Sequence, residues 1–475
     1  MTEQQLEAIE PALQRFLHSY LFCCDYTQTF DHLGTYVRGL LSDLPRKSVE
    51  PIALQAGTPV RTLQEFLRDH RWDFGAVRSL LQQHAADVLG GLPDDGLGTV
   101  GLIDETSAVK EGLKTPGVQR QYLGCVGKVE NGIVTVHLGV SRNSYKALVD
   151  ADLFLPQSWS EDRPRCREAG IPDDLVYRPK WQIALEQLDR SRSNGIRLDW
   201  LTFDEGYGHC PGFVSGLDER QQAFVGEVPR TFSCLAAHRG GQRPDASTKG
   251  RPAEEVVLAA SVFRGQSWQV LRWSRQTLAD QVWRVKAAQV WLSAETGLSA
   301  CTYWLIWASN DETGEEKFFL SNAPADARVE VLVRVAFRRA GVEHSFRVCK
   351  TELGFGHFEG RRYQALMRHL TLCLVALAFA AEHTQRLRGE KSRADSGTGL
   401  SGRGGTGARL AEGPAAEQRQ GVRTTSHSIP PGAQPRLTTV QTETARNRPQ
   451  AQKTSAKETE TTQTIHSEVK VALYC

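Results

Sequence analysis

The sequence has almost no net charge, no paired cysteine motif and no apolar run long enough to cross a bilayer. Each absence narrows what the chain can be. Across 475 residues the formal net charge is +2. Bulk charge therefore neither demands nor excludes a nucleic-acid partner, and any DNA-binding surface has to come from local patches of Lys and Arg. The ten cysteines are scattered singly apart from Cys23–Cys24. None spells CxxC or joins His at zinc-finger spacing, and His209–Cys210 is an isolated doublet. Reduced, mostly buried thiols in a cytoplasmic protein are expected. Met1–Glu10 is polar and acidic with no apolar stretch behind it, so no signal peptide is expected. The longest apolar run, Leu370–Ala381, is shorter than the ~18–20 residues that span a bilayer, so a buried helix and no membrane association are expected. With 40% apolar residues the chain can still fill one large core or several domains.

What is present divides the chain by texture. Met1 to about Leu89 carries helical spacing, with Leu13, Phe16, Leu17 and Tyr20 in one run and Leu63, Phe66 and Leu67 in another. Val49–Ala56, Gly57 and Val60–Asp69 read as helix, glycine turn and helix, a layout shared by helix-turn-helix motifs and any αα-hairpin. The breaker cluster Gly90-Gly91-Leu92-Pro93-Asp94-Asp95-Gly96 marks a boundary. Beyond it Thr99–Asp104, Arg120–Cys125, Ile133–Val140 and Ile196–Asp204 are strand-like. From Ala223 to Leu320 strands dominate: Val256–Phe263, Trp268–Trp273, Val282–Trp291, Thr302–Ala308 and Lys317–Leu320, with Asp311-Glu312-Thr313-Gly314 as a hairpin turn. Ala325–Leu353 and Tyr363–His383 return to helical spacing. From about Glu390 the composition predicts disorder. Gly402-Arg403-Gly404-Gly405-Thr406-Gly407 there matches GxGxxG, but no strand precedes it and no amphipathic helix follows, so it is not read as a nucleotide site.

Two carboxylates stand out by context. Asp104 ends the apolar run Val100-Gly101-Leu102-Ile103, and Asp204 ends Leu201-Thr202-Phe203. A carboxylate just past a buried strand sits at the mouth of a sheet, where ligands and metals bind. A third acidic position, Glu343, lies in a helix with Arg339 and Lys350. On a helical wheel Val342, Phe346, Cys349 and Leu353 fall within about 40° of Val335, and the three charged residues share the flank beside that stripe. One such feature alone would be a helix cap or a solvated flank. Together they suggest a nuclease. Carboxylates from two strands and a helix can hold two divalent cations, one activating water or a 3′-hydroxyl and one stabilising the leaving oxygen of a phosphodiester. Mg²⁺ suits an all-oxygen donor set, and neighbouring Arg and Lys would hold the anionic backbone.

At these residues the sequence resembles the DDE transposases of bacterial insertion sequences, in particular the insertion-sequence-701 group with its DDE superfamily endonuclease domain. The first matching stretch is Gly101-Leu102-Ile103-Asp104-Glu105-Thr106, continuing through Lys110, Gly112, Val118-Gln119-Arg120-Gln121-Tyr122, Gly124, Gly127 and Asn131. The second runs from Leu201 through Asp204-Glu205-Gly206-Tyr207-Gly208. The third is Val342-Glu343-His344-Ser345-Phe346 with Lys350, Glu352-Leu353-Gly354, His357-Phe358-Glu359 and Arg368-His369-Leu370-Thr371-Leu372. The likeness covers most of Leu13–Leu387. The family's third motif places Tyr, Arg, Glu and Lys with two, three and six residues between them. Arg339, Glu343 and Lys350 fit, whereas the Tyr position is Ala336.

The resemblance implies an α/β fold: an RNase H-like catalytic core with a β-rich insertion domain and an N-terminal helical domain. The expected division is a DNA-end-binding domain at 1–89, core at 97–222, insertion at 223–322, closing helices at 323–388 and a disordered tail at 389–475. It implies Asp104, Asp204 and Glu343 as catalytic metal ligands for two Mg²⁺ ions, with Mn²⁺ as a substitute. Arg339, Lys350, Lys110 and Arg120 are implied DNA contacts, and Arg361, Arg362 and Arg368 candidate phosphate contacts. Glu205 is left open between assisting the metals and capping a turn. The partners implied are terminal inverted repeats and target DNA, bound by a homodimer. Two other readings account for part of the pattern. A glycoside hydrolase could use Asp204-Glu205 with Trp200 and Tyr207, but gives Arg339 and Lys350 no role. An inactive or domesticated transposase would bind DNA without cutting it.

Overall fold

The N-terminal residues form helices because their apolar positions line one side of each turn. In the computed structural model, which describes residues 5, 7–238, 242–245, 247–275, 278–294 and 297–397, α1 (Ile9–His18) buries Ile9, Leu13 and Leu17. It is followed by α2 (Thr27–Leu41), α3 (Val49–Gln55), α4 (Val60–Arg68) and α5 (Phe74–Gly91). Gly57, with a φ of 62°, makes the left-handed turn between α3 and α4 that a side chain would strain. The helix–glycine–helix expectation holds here to within a residue or two.

After the breaker cluster come β1 (Val100–Val109), β2 (Gln119–Leu123), β3 (Lys128–Arg142) and β4 (Tyr145–Leu153). β1 runs antiparallel to β3 from Val100↔Ser141 to Val109↔Gly132. β4 lies along the opposite edge of β3, and β2 pairs with the first residues of β3 on that edge too, away from β1. Three helices, α6 (Gln157–Glu161), α7 (Arg163–Ala169) and α8 (Lys180–Ser193), lead to β5 (Trp200–Thr202). A parallel partner of β1 needs such a crossover. α9 (Glu205–Gly208), α10 (Pro211–Glu219) and β6 (Val225–Val228) follow. A parallel bridge Leu201↔Phe224 then sets the β6 segment beside β5.

β6 is also the first strand of a second sheet, ordered β6-β13-β12-β10-β7-β8 among the described residues. Its members are β7 (Ser233–Ala236), β8 (Arg251–Pro252), then, after α11 (Ala253–Ala259) and α12 (Ser261–Arg264), β9 (Gln269–Arg275), β10 (Leu278–Ala294), β11 (Gly297–Leu298), β12 (Tyr303–Asn310) and β13 (Glu316–Ser321). The two sheets thus meet edge to edge through β5 and β6. The chain closes with α13 (Val329–Phe337), α14 (Ala340–Thr351) and α15 (Tyr363–Gly397). The expected disorder of 389–475 and the GxGxxG match fall largely or wholly outside the described residues.

Three sequence expectations need correction. Val256–Phe263 is helical, not a strand: Ala253, Val256 and Val257 are buried at helical spacing and Glu254 and Glu255 favour the first turn. The strand in Ile196–Asp204 shrinks to Trp200–Thr202. Ala325–Leu353 is two helices, because Arg338 and Arg339 donate to carbonyls three residues back, at Val335 and Ala336, a tightened turn that ends α13. A core strand, β4, escaped notice because Asp150 and Asp152 interrupt its apolar pattern. Both are buried, and both are paired with Arg190 on α8 and Arg78 on α5.

The apolar helix is a core element. Tyr363–Leu387 is long and apolar enough to cross a membrane, yet 94% of its most apolar window is buried inside the protein. It packs against α2, α4, α5 and β4, so the N-terminal helices share one hydrophobic core with it. Arg368 shows why it cannot be a phosphate contact. It is 1% exposed and donates to the carbonyls of Phe66, Leu67, His70 and Trp72, closing the end of α4. Arg368→Leu is expected to destabilise the protein by about 2–4 kcal/mol through those abandoned carbonyls. Chemical denaturation would check this. Unchanged stability with weakened DNA binding would overturn the structural role.

Candidate active site

The parallel register of β1 and β5 builds the site. Val100, Gly101 and Leu102 pair with Trp200, Leu201 and Thr202, so Asp104, which lies midway along β1 and not at the strand end the sequence suggested, and Asp204, just past β5, stand at one level. Small residues allow the strands to close up: a Cβ on Gly101 would meet the side chains of Leu198 and Leu201 at 2.5 and 2.8 Å.

The two carboxylates differ in surroundings. Asp104 lies within β1, accepting from the Glu105 backbone N–H at 2.7 Å and from Arg339 Nη1 at 3.2 Å. Burial pushes its carboxyl up to about 7; Arg339 opposes this, and the negative charge of Asp204 adds to it. Asp204 caps α9, its Oδ1 accepting from the Tyr207 N–H at 3.2 Å, so one carboxylate both starts a helix and faces its neighbour. Tyr207 is 4% exposed, and its hydroxyl has no hydrogen-bond partner among the described residues. Burial, then the charges of Glu105, Asp204 and Asp104, hold that hydroxyl well above its ordinary range. Glu105 points to the other face of β1, where Lys180 Nζ lies 2.6 Å away. Glu205 stands exposed in the first turn of α9.

The break between α13 and α14 brings Arg339 to Asp104. Arg338, beside it, pairs with Asp95 and donates to Asn143 O at 2.9 Å. Glu343 lies one turn further along α14; its side chain lies outside the described residues. Among the described residues no three His, Cys, Asp or Glu side chains are grouped to hold a metal ion. Lys350 is partly buried on the same helix. Its charge adds to burial in holding the His137 imidazole down to about 3, and His137 is the cross-strand partner of Asp104.

The remaining expected contacts lie apart. Lys110 donates to Gly356 O at 2.9 Å and Phe358 O at 2.7 Å, tying down the segment after α14. Burial, and then Arg46, lower its ammonium to about 8. Arg120 is exposed on β2, 3.8 Å from Glu130. Ala336, at the family Tyr position, is buried. Tyr207 stood in the second sequence motif only as an aromatic beside Asp204-Glu205, whereas His137 and Lys180 carried no local signal and are placed by strand pairing and helix packing.

Comparison with known proteins adds a family. Residues 21–288, more than half of the chain, match the family model described as DDE superfamily endonuclease. That span includes Asp104 and Asp204 and ends before Glu343. Over 308 residues the chain is 34% identical to a protein of Microchaete diplosiphon named "Probable transposase for insertion sequence element IS701", an alignment covering 60% of this chain and 76% of that protein.

Proposed function

The chain belongs to the DDE superfamily of endonucleases and is a transposase of the insertion-sequence-701 type, and from that premise we propose that it cuts and rejoins DNA at the ends of its own element, by metal-dependent hydrolysis and strand transfer. The observation that carries this reading is the level pair of Asp104 and Asp204, with Asp104 raised to about 7 by burial and supported by that neighbouring charge. Two carboxylates forced together in a partly buried place are relieved by a cation. The antiparallel β1-β3-β4 ladder with β5 and β6 alongside supports an RNase H-like core, and the rest of the second sheet would be its insertion. Glu343 is the third acidic member.

The donor set fits a divalent cation, since Asp104 and Asp204 supply only oxygens, the preference of Mg²⁺; two ions are proposed, with Mn²⁺ as a substitute. Bound there, such ions would supply an activated hydroxyl and charge stabilisation of the leaving oxygen. This chain's own residues do the rest. Asp104 and Asp204 set the distance between the carboxylates through the sheet register. Arg339 neutralises Asp104 when no cation is present and is placed to meet a phosphate when one is. Lys350 adds positive charge on the same helix, whereas Lys110 is taken up by the carbonyls of Gly356 and Phe358 and is dropped as a DNA contact. Terminal repeats and target DNA, a homodimer and a cytoplasmic location belong to the same reading.

The test is nicking of supercoiled DNA carrying the element's ends. Wild type with Mg²⁺ is expected to give end-specific nicks, abolished by EDTA and restored by Mg²⁺ or Mn²⁺. Asp104 must be ionised to hold a cation, so the rate should fall about tenfold per pH unit on the acid side, with the limb starting near or below 7. Raising Mg²⁺ should move that limb to lower pH. End binding without any nicking would favour a repurposed DNA-binding protein instead.

A further inference from the structure

Tyr207 carries a buried hydroxyl that the packing of its ring does not need. Asp204 begins α9 by accepting the Tyr207 N–H at 3.2 Å, which anchors the residue beside the acidic pair. Gly208, the next residue, lies so close to β6 that an added Cβ would collide with Glu227 O. α9 is therefore pressed onto the sheet, and the Tyr207 ring is held in the core with its centroid 5.4 Å from that of Phe213. A phenylalanine would fill the same space. The hydroxyl is the surplus: it is buried without a hydrogen-bond partner among the described residues. Such a group costs stability, and a buried tyrosine ordinarily finds a partner.

The surroundings supply acceptors. Burial first, then the charges of Glu105, Asp204 and Asp104, keep the phenol protonated. An ionised carboxylate only accepts hydrogen bonds, so the hydroxyl is a donor set among acceptors. Those acceptors are not equally engaged. Glu105 has the Lys180 ammonium 2.6 Å away on the other face of β1. Asp104 accepts from the Glu105 N–H and from Arg339, and Asp204 accepts from the Tyr207 N–H through Oδ1. A carboxylate has about four acceptor sites, so both aspartates have capacity left. Mg²⁺ demands near-ideal octahedral geometry. A ligand that swings freely meets that demand poorly, and donors behind the ligands hold them still.

We propose that the Tyr207 hydroxyl is a positioning donor for the cation site: it hydrogen-bonds the Asp104–Asp204 pair, at a carboxylate oxygen or through one water, and fixes the arrangement that a divalent cation needs. The proposal rests on the reading that these aspartates hold metal for DNA cleavage. Tyr207 touches neither metal nor DNA in this role and acts through the aspartates. No covalent step is involved.

The experiment is thermal denaturation of the full chain across Mg²⁺ and Mn²⁺ concentrations, for wild type, Tyr207→Phe and Glu105→Gln, with Asp104→Asn as the metal-blind reference. Without metal, Tyr207→Phe is expected to melt at or slightly above the wild-type temperature, because an unsatisfied buried hydroxyl is removed. The cation concentration that gives half of the metal-induced rise should increase about 10- to 100-fold. The Mg²⁺ needed for half-maximal nicking should move with it. Glu105→Gln should leave both concentrations at their wild-type values. A merely structural hydroxyl would do the reverse: Tyr207→Phe would melt lower without metal and respond to cation as wild type does, which overturns the proposal. A midpoint moved as far by Glu105→Gln as by Tyr207→Phe also overturns it, since the hydroxyl then serves the Glu105–Lys180 pair. If wild type responds to cation and nicks DNA but Tyr207→Phe matches it, the cleavage reading stands and the positioning role falls. If wild type neither gains stability from Mg²⁺ or Mn²⁺ nor nicks DNA, both fall.

Discussion

Asp104→Asn is expected to lower end cleavage on the order of 1000-fold while raising the melting temperature of the metal-free protein at pH 8. The loss follows from removing one of the two level carboxylates, the one on β1 beside the one just past β5. The gain follows from linkage. The Asp104 carboxyl sits at about 7 in the fold against an ordinary 3.8. A raised acid favours its neutral form in the folded state. Its ionisation therefore costs stability, a cost absent below about 4 and complete above 7. An amide removes that cost, a gain on the order of 2 kcal/mol once the abandoned Arg339 is allowed for. Thermal denaturation at pH 5 and pH 8 should show the variant's advantage widening with pH. Added Mg²⁺ should raise the wild-type melting temperature and leave the variant unmoved. A variant less stable than wild type at pH 8 would mean that the Arg339 ion pair outweighs burial, and the site would then lack the unrelieved charge on which the metal reading rests.

Arg190→Met is expected to cost about 3–5 kcal/mol at neutral pH, the range for removing one partner from a buried ion cluster. Arg190 contacts Asp150 at 2.8 Å and Asp152 at 2.5 Å, and the Asp150 side chain is fully buried. Gln82 donates to Asp150 at 2.8 Å and Gln187 to Asp152 at 3.2 Å. The cluster thus ties α5, β4 and α8 together behind the catalytic strands. Arg78, 3.5 Å from both acids, would be left to balance two buried carboxylates. Burial already pushes the Asp150 carboxyl up, with Arg190 pulling it down; without Arg190 it should rise further. The damage is therefore expected to shrink as pH falls, because a protonated carboxyl no longer carries an uncompensated charge. Asp150→Asn/Asp152→Asn/Arg190→Met should recover most of the stability at pH 7. Denaturation midpoints that move little, at either pH, would show the cluster to be a solvated network of small consequence.

Arg190 also marks a limit of the sequence. Nothing in the spacing of Asp150, Asp152, Arg78 and Arg190 says that they meet, and two acids in an apolar run look like a loop rather than a central strand. Lys110 and Arg368 mislead the other way. As isolated cations in a matching motif they look available to phosphate, yet both donate to backbone carbonyls from within the fold. The Val-Val pair of α11 looks like a strand until the acidic first turn and the buried spacing are weighed together.

The sequence by itself determined the pieces with local causes. Apolar residues at helical spacing gave α1, α3, α4 and α15. Turn chemistry gave the Asp311–Gly314 hairpin, and an aspartate after each of two apolar runs marked Asp104 and Asp204. Only the tertiary structure decided how those pieces combine. The parallel pairing of β1 with β5 put the two aspartates at one level. The helix break at Arg338–Arg339 delivered a guanidinium to Asp104. Burial made that carboxyl a weak acid. The physical reason is range: propensity and periodicity act over a few residues, whereas register and charge pairing here join residues 100 and 235 positions apart, which only the packed chain brings together.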